Sequence, residues 1–342
     1  MKILTRVLTF AFTLVLATGA TDYLQAQQSA RVDAINAYNN ARDLVDSGEY
    51  LDAIELYMEA MEIAESPACE DCADLVEQSQ NQIPRVYYQR ALSQYEQFRS
   101  SQTLENIQLS IDYFEEAGDA GEEYGDADVR DGSQRVLPQL YYTRSRIEYN
   151  NEDYDSALES LDIAIDLNAN YTLAYYQRGI VLNNSGAPLE DVLAAFDQAI
   201  EVGTRLEDNE NVARAQRRAA EELVYQGYQQ SQNNQRTEAI ELLEQALEYD
   251  SNNVDAYFRL AEVQNQRGSY QAAQGNAERA LELETGGVTD RAPIYYELGL
   301  SLQGQGSATR AQACQAFENA AYGEFRDPAL HIMEYELECQ DL

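Results

Sequence analysis

The chain has 342 residues, of which 60 are acidic and 23 basic, and its formal net charge is −37. Its single lysine, Lys2, lies at the N-terminus. The chain therefore lacks the basic patches that phosphate contacts require, and we expect no direct binding of nucleic acid. Anionic membrane surfaces are disfavoured for the same electrostatic reason.

The N-terminal segment has the pattern of a secretory signal peptide. Two basic residues precede an apolar run over residues 7–17, and small residues follow it. About eleven apolar residues are too few to span a bilayer, which takes ~20. We therefore predict that residues 1–26 are removed, with cleavage after Ala26 or alternatively after Ala20, and that the mature chain is periplasmic or extracellular. No cysteine follows the run, so we expect no lipid anchor.

Small residues recur at a regular spacing through the rest of the chain. An alanine returns with a bulky residue usually three positions before it and, Val192 excepted, a small residue seven positions before it. These alanines are Ala60, Ala117, Ala164, Ala199, Ala246, Ala280 and Ala320. Neighbouring copies come as close as 34 residues, from Ala246 to Ala280. A period near ~34 is typical of repeated helix pairs, A and B, whose small side chains let the helix backbones approach closely.

The clearest repeat runs from Ala256 to Glu284, with its pattern residues at Tyr257, Leu260, Ala261, Gly268, Tyr270, Ala273 and Ala280. On these residues the chain resembles the tetratricopeptide repeat family, in particular its secreted bacterial members. The resemblance implies an all-α, right-handed superhelical solenoid of about seven helix pairs, with a C-terminal capping helix and a concave binding surface. We expect the solenoid to occupy residues 27–342. Its repeats are expected near residues 34–66, 86–117, 138–169, 172–202, 220–252, 254–285 and 292–321, and its capping helix near 328–339.

Three inserted segments widen the gaps between repeats. Residues 67–85 are predicted to form an extra helix, whereas residues 118–134 and 203–216 are polar and predicted to be solvated loops or helix extensions. The acidic segment 118–134 lacks the regular aspartate spacing and closing glutamate of a calcium loop. We therefore expect no metal site in it.

The four cysteines allow three pairings. Local pairing predicts one disulfide between Cys314 and Cys339, which would hold the capping helix, and a second between Cys69 and Cys72. The C-terminal pair is similar to one in secreted bacterial tetratricopeptide proteins. The Cys-x-x-Cys spacing alternatively fits a thiol–disulfide redox centre, although its two intervening acids disfavour a reactive thiolate. A zinc site would need a second pair of ligands, which the sequence lacks.

The sequence offers little for catalysis. Its one histidine, His331, falls among apolar residues of the predicted capping helix, where a packed or edge position is the expected role. No Gly-rich phosphate loop, H-E-x-x-H motif or G-x-S-x-G motif is present. We predict that the protein is not an enzyme and has no cofactor.

Helix A of several repeats opens with two aromatic residues. The first falls at the family's packing position, and the second is rotated by about 100° around the helix, toward the family's concave groove. We predict that these second aromatics, with polar residues further along the same helices, bind a neutral or basic protein or extended peptide. A structural role between helices is the alternative for the aromatics. The predicted groove residues are Tyr88, Tyr142, Arg146, Tyr176, Asn183, Asn184, Phe258, Asn265, Gln266 and Tyr296.

The leading functional hypothesis is therefore a non-catalytic exported scaffold for protein–protein interaction. A carbohydrate-binding or envelope-polymer-binding protein that stacks sugars on the tyrosine row is the first alternative. A thiol–disulfide oxidoreductase acting through Cys69 and Cys72 is the second.

The acidic, lysine-poor composition predicts a salt-dependent stability. Such surfaces are typical of halophilic proteins, although an ordinary acidic secreted protein is the alternative. Because salt screens the repulsion among the 60 acids, we expect the melting temperature to rise steadily from low to molar salt. Thermal melts across that range provide the measurement. An unchanged melting temperature would mean that the charges are too dispersed to matter and would remove the main support for a high-salt origin.

Overall fold

The structure, a computed structural model, describes the backbone of residues 2–69 and 71–339 and the side chains from residue 25 onward, except residue 70. Within these ranges the chain is helical without a β-strand, which confirms the all-α prediction. No helix of the described part is both long and apolar enough to cross a membrane. The predicted signal peptide, residues 1–26, lies mostly outside the described side chains and stays a prediction.

Helices of the described chain follow one another with short connections. They are α1 (Lys2–Ser47), α2 (Tyr50–Glu65), α3 (Ala73–Ser100), α4 (Leu104–Glu123), α5 (Ala127–Asn150), α6 (Tyr154–Leu167), α7 (Thr172–Ser185), α8 (Leu189–Arg205), α9 (Asn209–Gln232), α10 (Arg236–Tyr249), α11 (Val254–Arg267), α12 (Tyr270–Leu283), α13 (Val288–Gly304), α14 (Arg310–Ala320) and α15 (Arg326–His331). Odd-numbered helices up to α13 are the A helices of the repeats, and even-numbered helices up to α14 are the B helices.

The chain divides into two compact units, the first ending at Ala174 and the second beginning at Tyr175. Within each unit the recurring alanines of the sequence pattern are fully buried, including Ala117 in the first and Ala246 in the second. Gly48, Gly186 and Gly268 follow A helices with φ of 84°, 78° and 83°, a left-handed conformation that glycine adopts without strain and that ends a helix. The repeat pattern thus encodes both helix packing and helix ends.

The inserted segments lengthen the repeat helices. The predicted extra helix at 67–85 is continuous with the second A helix, because α3 runs unbroken from Ala73 past the internal Pro84. The acidic segment 118–134 forms the end of α4 and the start of α5, where the Asp126 side chain caps the new helix by accepting a hydrogen bond from Val129 N at 3.1 Å. The polar segment 203–216 extends α8 and α9 in the same way.

The C-terminal segment folds onto the last helix pair, with different bounds from the predicted capping helix at 328–339. Helix α15 is short, and a π-helical turn, Ile332–Glu336, follows it directly. Ala329 and Ile332 are buried in the cluster of apolar residues that contains Phe317. A disulfide joins Cys314 of α14 to Cys339, with the two Cα atoms 5.9 Å apart. Apolar contact and a covalent bond therefore both hold this segment.

The second disulfide, Cys69–Cys72, lies between α2 and α3, with its Cα atoms 5.6 Å apart. Both residues are buried, with exposed fractions of 6% and 1%, against the apolar side chains Ala34, Ala64 and Leu75. Because an attacking thiol needs access to a sulfur atom, burial disfavours rapid redox exchange. The geometry fits a structural staple between consecutive repeats.

Candidate binding face

Three of the predicted groove aromatics, Tyr88, Tyr176 and Tyr296, pack against the bulky B-helix residue of their own repeat, and Tyr38 does the same at the equivalent position of the first repeat. The ring pairs are Tyr38–Tyr57 (5.2 Å between centroids), Tyr88–Phe114 (5.6 Å), Tyr176–Phe196 (6.0 Å) and Tyr296–Phe317 (5.6 Å). Such aromatic pairs contribute about 0.5–1.5 kcal/mol beyond their buried area. Each groove aromatic in these pairs is half-buried. The row therefore has a structural role and still presents part of each ring to solvent.

Glycines on the A helices make room for these bulky B-helix residues. A Cβ atom added at Gly179 would lie 2.6 Å from the Phe196 ring, and one at Gly299 would lie 2.7 Å from the Phe317 ring. Non-bonded carbon atoms pack at about 3.5–4.0 Å. At Gly179 and Gly299 helices A and B thus meet at a distance that only glycine permits, whereas other repeats have alanine or serine at this position, such as Ala91 and Ser145.

In the first unit two of the predicted groove residues, Tyr142 and Arg146, lie near Tyr171, and the third, Tyr88, lies on α3. The Tyr142 ring packs 5.3 Å from the Tyr171 ring, while the Arg146 side chain is exposed. A cleft of about 500 Å³ lies instead among α2, α3 and α4, lined in part by Leu51, Met58, Tyr87, Arg90 and Tyr124. Tyr87, the first of the two adjacent aromatic residues Tyr87 and Tyr88, lines this cleft. None of the predicted groove residues lines it.

In the second unit three clefts follow the A helices α7, α9, α11 and α13. The first, of about 550 Å³, is lined in part by Asn183, Asn184 and Glu222. The second, of about 350 Å³, contains Tyr228 and Arg259, and Tyr225 lines both clefts. The third, of about 490 Å³, contains Asn265, Gln266, Tyr270, Glu297 and Leu300. We call the surface formed by these three clefts the A-helix face.

Hydrogen bonds join A helices of consecutive repeats along this face. The Asn183 amide donates to Glu222 Oε2 at 2.8 Å, and the Asn265 amide donates to Glu297 Oε2 at 2.8 Å. Asn183 and Asn265 were predicted to bind the partner, but their NH2 groups already donate to neighbouring carboxylates. The amide of Asn184 donates to the backbone of its own helix, whereas Gln266 is exposed.

One arginine lies between the second and third clefts. Arg259 forms an ion pair of 2.7 Å with Glu262, which lines the third cleft. Its guanidinium also lies over the Tyr228 ring at 4.5 Å and the Phe258 ring at 4.9 Å. Aromatic and acidic contacts together hold Arg259, which lines the second cleft, beside Glu262, which lines the third.

The carboxyl of Glu297 has the most perturbed acidity on this face. Burial raises its pKa to about 7, and the nearby Glu262 carboxylate adds to the rise. The hydrogen bond from Asn265 and the charge of Arg259 oppose the rise without cancelling it. Glu297 therefore changes its charge near neutral pH.

Sequence reasoning missed Tyr225, Glu222, Arg259 and Glu297. Tyr225 is 55% exposed. It immediately follows Val224, which stands in α9 where most other A helices have their second aromatic residue. A positional signal did exist for the amide–carboxylate bonds, because both asparagines lie four residues after the small residue of their A helix, as in Gly179 and Asn183. Their glutamate partners occupy unequal positions in the next repeat and could not be found from the period.

The described residues give little basis for metal or histidine chemistry. They contain no group of three or more side chains placed to hold a metal ion. The exposed His331 ring lies 5.0 Å from the Tyr335 ring, on the short C-terminal segment. This is the edge position expected from the sequence.

Comparison with known families agrees with the repeat pattern. Two tetratricopeptide repeat models match the chain, one over residues 142–209 and one over residues 230–286. Both matches fall within repeats that the sequence pattern predicted, and they support the tetratricopeptide repeat assignment. No curated protein matches the chain.

Several solved structures are similar to the chain at low identity. The crystal structure of MamA is 18% identical, with a TM-score of 0.38, over 59% of this chain and 96% of that chain. YrrB, described as a TPR protein with an unusual peptide-binding site, is 18% identical, with a TM-score of 0.35, over 57% and 91% of the two chains. The C-terminal part of a TPR protein from Cytophaga hutchinsonii is 15% identical, with a TM-score of 0.38, over 86% and 99%.

Proposed function

We propose that the protein is a non-catalytic exported scaffold that binds an extended peptide or protein segment along the A-helix face of its second unit. Tetratricopeptide repeats present extended surfaces of this kind to partners. The observation that carries the proposal is the row of three clefts along consecutive A helices, with the exposed ring of Tyr225 shared by two of them.

The chemistry of the face suits a peptide. Exposed tyrosine is a rigid, amphipathic anchor that loses little entropy on binding. The exposed amide of Gln266 adds a donor and an acceptor for a peptide backbone. Carboxylates outnumber cations on the face, so its potential favours a neutral or basic partner over an acidic one.

Export is proposed on two grounds. The N-terminal segment has the pattern of a signal peptide. The two disulfides, Cys69–Cys72 and Cys314–Cys339, account for all four cysteines, and such bonds persist in oxidising compartments.

The two alternative functions have less support. Sugar stacking needs exposed rings, whereas the aromatic row is half-buried against B-helix residues. An oxidoreductase needs an accessible sulfur, whereas Cys69 and Cys72 are buried.

A peptide-display selection tests the proposal. Peptides selected from a random library against the full chain should bind, and Tyr225→Ala should weaken them about tenfold or more, the size of an aromatic hot spot. Tyr322→Ala removes an exposed tyrosine from the C-terminal part of the same unit and should leave affinity unchanged. Isothermal titration calorimetry measures both variants. If the selected peptides bind the two variants equally well, the A-helix face is not the binding surface.

A further inference from the structure

The third cleft of the A-helix face, between α11 and α13, has walls of two chemical kinds. Its lining includes the carboxyl groups of Glu262 and Glu297 and the apolar surfaces of Leu300 and Tyr270. A cleft of about 490 Å³ with both kinds of wall fits one long side chain that has an aliphatic stem and a charged head.

Glu297 lacks a cation of its own. Among the described residues it forms no ion pair, and its carboxylate accepts a hydrogen bond from the Asn265 amide. The nearest arginine, Arg259, is held by Glu262 and by two aromatic rings. Removing a carboxylate from water without a counter-ion costs free energy. A cation supplied by a bound partner would therefore pair favourably with Glu297.

The neighbouring amide supplies a second, independent observation. Asn265 Oδ1 is out of contact with solvent and has no hydrogen-bond partner in the described part of the chain. Buried amide oxygens normally accept a hydrogen bond. An ammonium or guanidinium group carries several N–H donors, and rotation of the Asn265 amide would bring this oxygen within reach of a head group bound at Glu297.

We propose that this cleft binds a lysine or arginine side chain of the partner peptide, with its charged head between Glu297 and Glu262 and its stem against Leu300 and Tyr270. The inference rests on the proposed function, because it names the residue type by which the peptide is anchored there. In this proposal, two of the acidic residues of the A-helix face, Glu297 and Glu262, bind the cationic side chain directly.

The proposal has a defined pH dependence. The charged and titratable groups around Glu297 and its cleft are Glu262 and Arg259 of α11, Tyr296 of its own helix and Tyr270 of α12. Glu336 of the C-terminal segment acts on Tyr296 and accepts a hydrogen bond from Gln303, which lines the cleft. With its pKa at about 7, Glu297 is mostly neutral below that pH and mostly ionised above it. A cation binds the ionised form, so affinity should rise about tenfold from about pH 6 to about pH 8.

Small blocked amino acids provide the probes. Nα-acetyl-lysine-N-methylamide and its arginine and norleucine analogues are titrated into the full chain, with NMR of the Asn265 side-chain amide as the readout. The lysine or the arginine probe should shift this signal at millimolar concentration and norleucine should not. Glu297→Gln keeps an acceptor for Asn265 but removes the charge, and should weaken binding about tenfold or more.

The matched control is Glu244→Gln, which removes an exposed carboxylate from α10 in the same unit and should leave probe binding unchanged. Norleucine binding as strongly as the cations, an affinity that is flat across neutral pH, or an undiminished Glu297→Gln variant would each overturn the proposal. Selected peptides that bind through Tyr225 yet contain no cationic residue would overturn the cation site and leave the scaffold function standing. Probe binding without any peptide binding would support the cation site and refute the scaffold.

Discussion

The Gly179→Ala variant should be less stable than the natural protein by about 1–3 kcal/mol, although alanine favours helix formation more than glycine does. The added Cβ would lie 2.6 Å from the Phe196 ring, and Phe196 is almost fully buried. The ring cannot move outward without disturbing the alanines of α9 packed in the same cluster. Chemical denaturation followed by circular dichroism measures the loss.

A second glycine provides the control for this variant. Gly275 lies inside α12, and a Cβ added there would meet nothing within 4 Å. Gly275→Ala should therefore stabilise the protein by about 0.5–1 kcal/mol through backbone entropy alone. If both variants are stabilised, the close A–B contact at Gly179 yields to the methyl group, and this packing account of the repeat is wrong.

Replacing Cys314 and Cys339 together by alanine should lower the free energy of unfolding by about 3.5 kcal/mol on the chain-entropy model. The bond closes a loop of sequence separation 25 and ties down a segment whose last helix has 6 residues. A helix that short is unstable without tertiary contacts. Hydrogen exchange in the variant should show faster exchange over residues 326–339 than over α13.

The other disulfide serves as the comparison. Cys69 and Cys72 are separated by only 3 positions, so their removal should cost less, about 2 kcal/mol on the same model. Unchanged exchange over residues 326–339 in the Cys314→Ala, Cys339→Ala variant would show that apolar contacts alone hold the C-terminal segment.

The repeat fold was predictable because small residues recur in the sequence at the period of the repeats. An alanine such as Ala199 or Ala246 is buried with no exposed surface, and few residue types fit such a position. The lengths of α3, α5 and α13 were less predictable. Each contains an internal proline, Pro84, Pro138 or Pro293, which by itself indicates a helix end. In the structure these helices run through their proline without interruption.

The binding face was only partly predictable, for a different reason. The sequence pattern located Asn265 and Gln266 in what proves to be a cleft, since both lie on one A helix. The glutamate that Asn265 contacts, Glu297, belongs to the next repeat, and their meeting depends on how successive repeats are rotated. A single sequence contains the period of the repeats but not that rotation.

The aromatic pairs also provide an intrinsic spectroscopic signal for the folding of individual repeats. The chain has 25 tyrosines and no tryptophan, so tyrosine dominates its near-ultraviolet signals. Pairs such as Tyr88–Phe114 and Tyr296–Phe317 each hold a phenol in a fixed, asymmetric environment inside one repeat. A Tyr→Phe substitution keeps the ring and removes the phenol band. The near-ultraviolet circular dichroism of such variants would assign the loss of order to individual repeats without an added label.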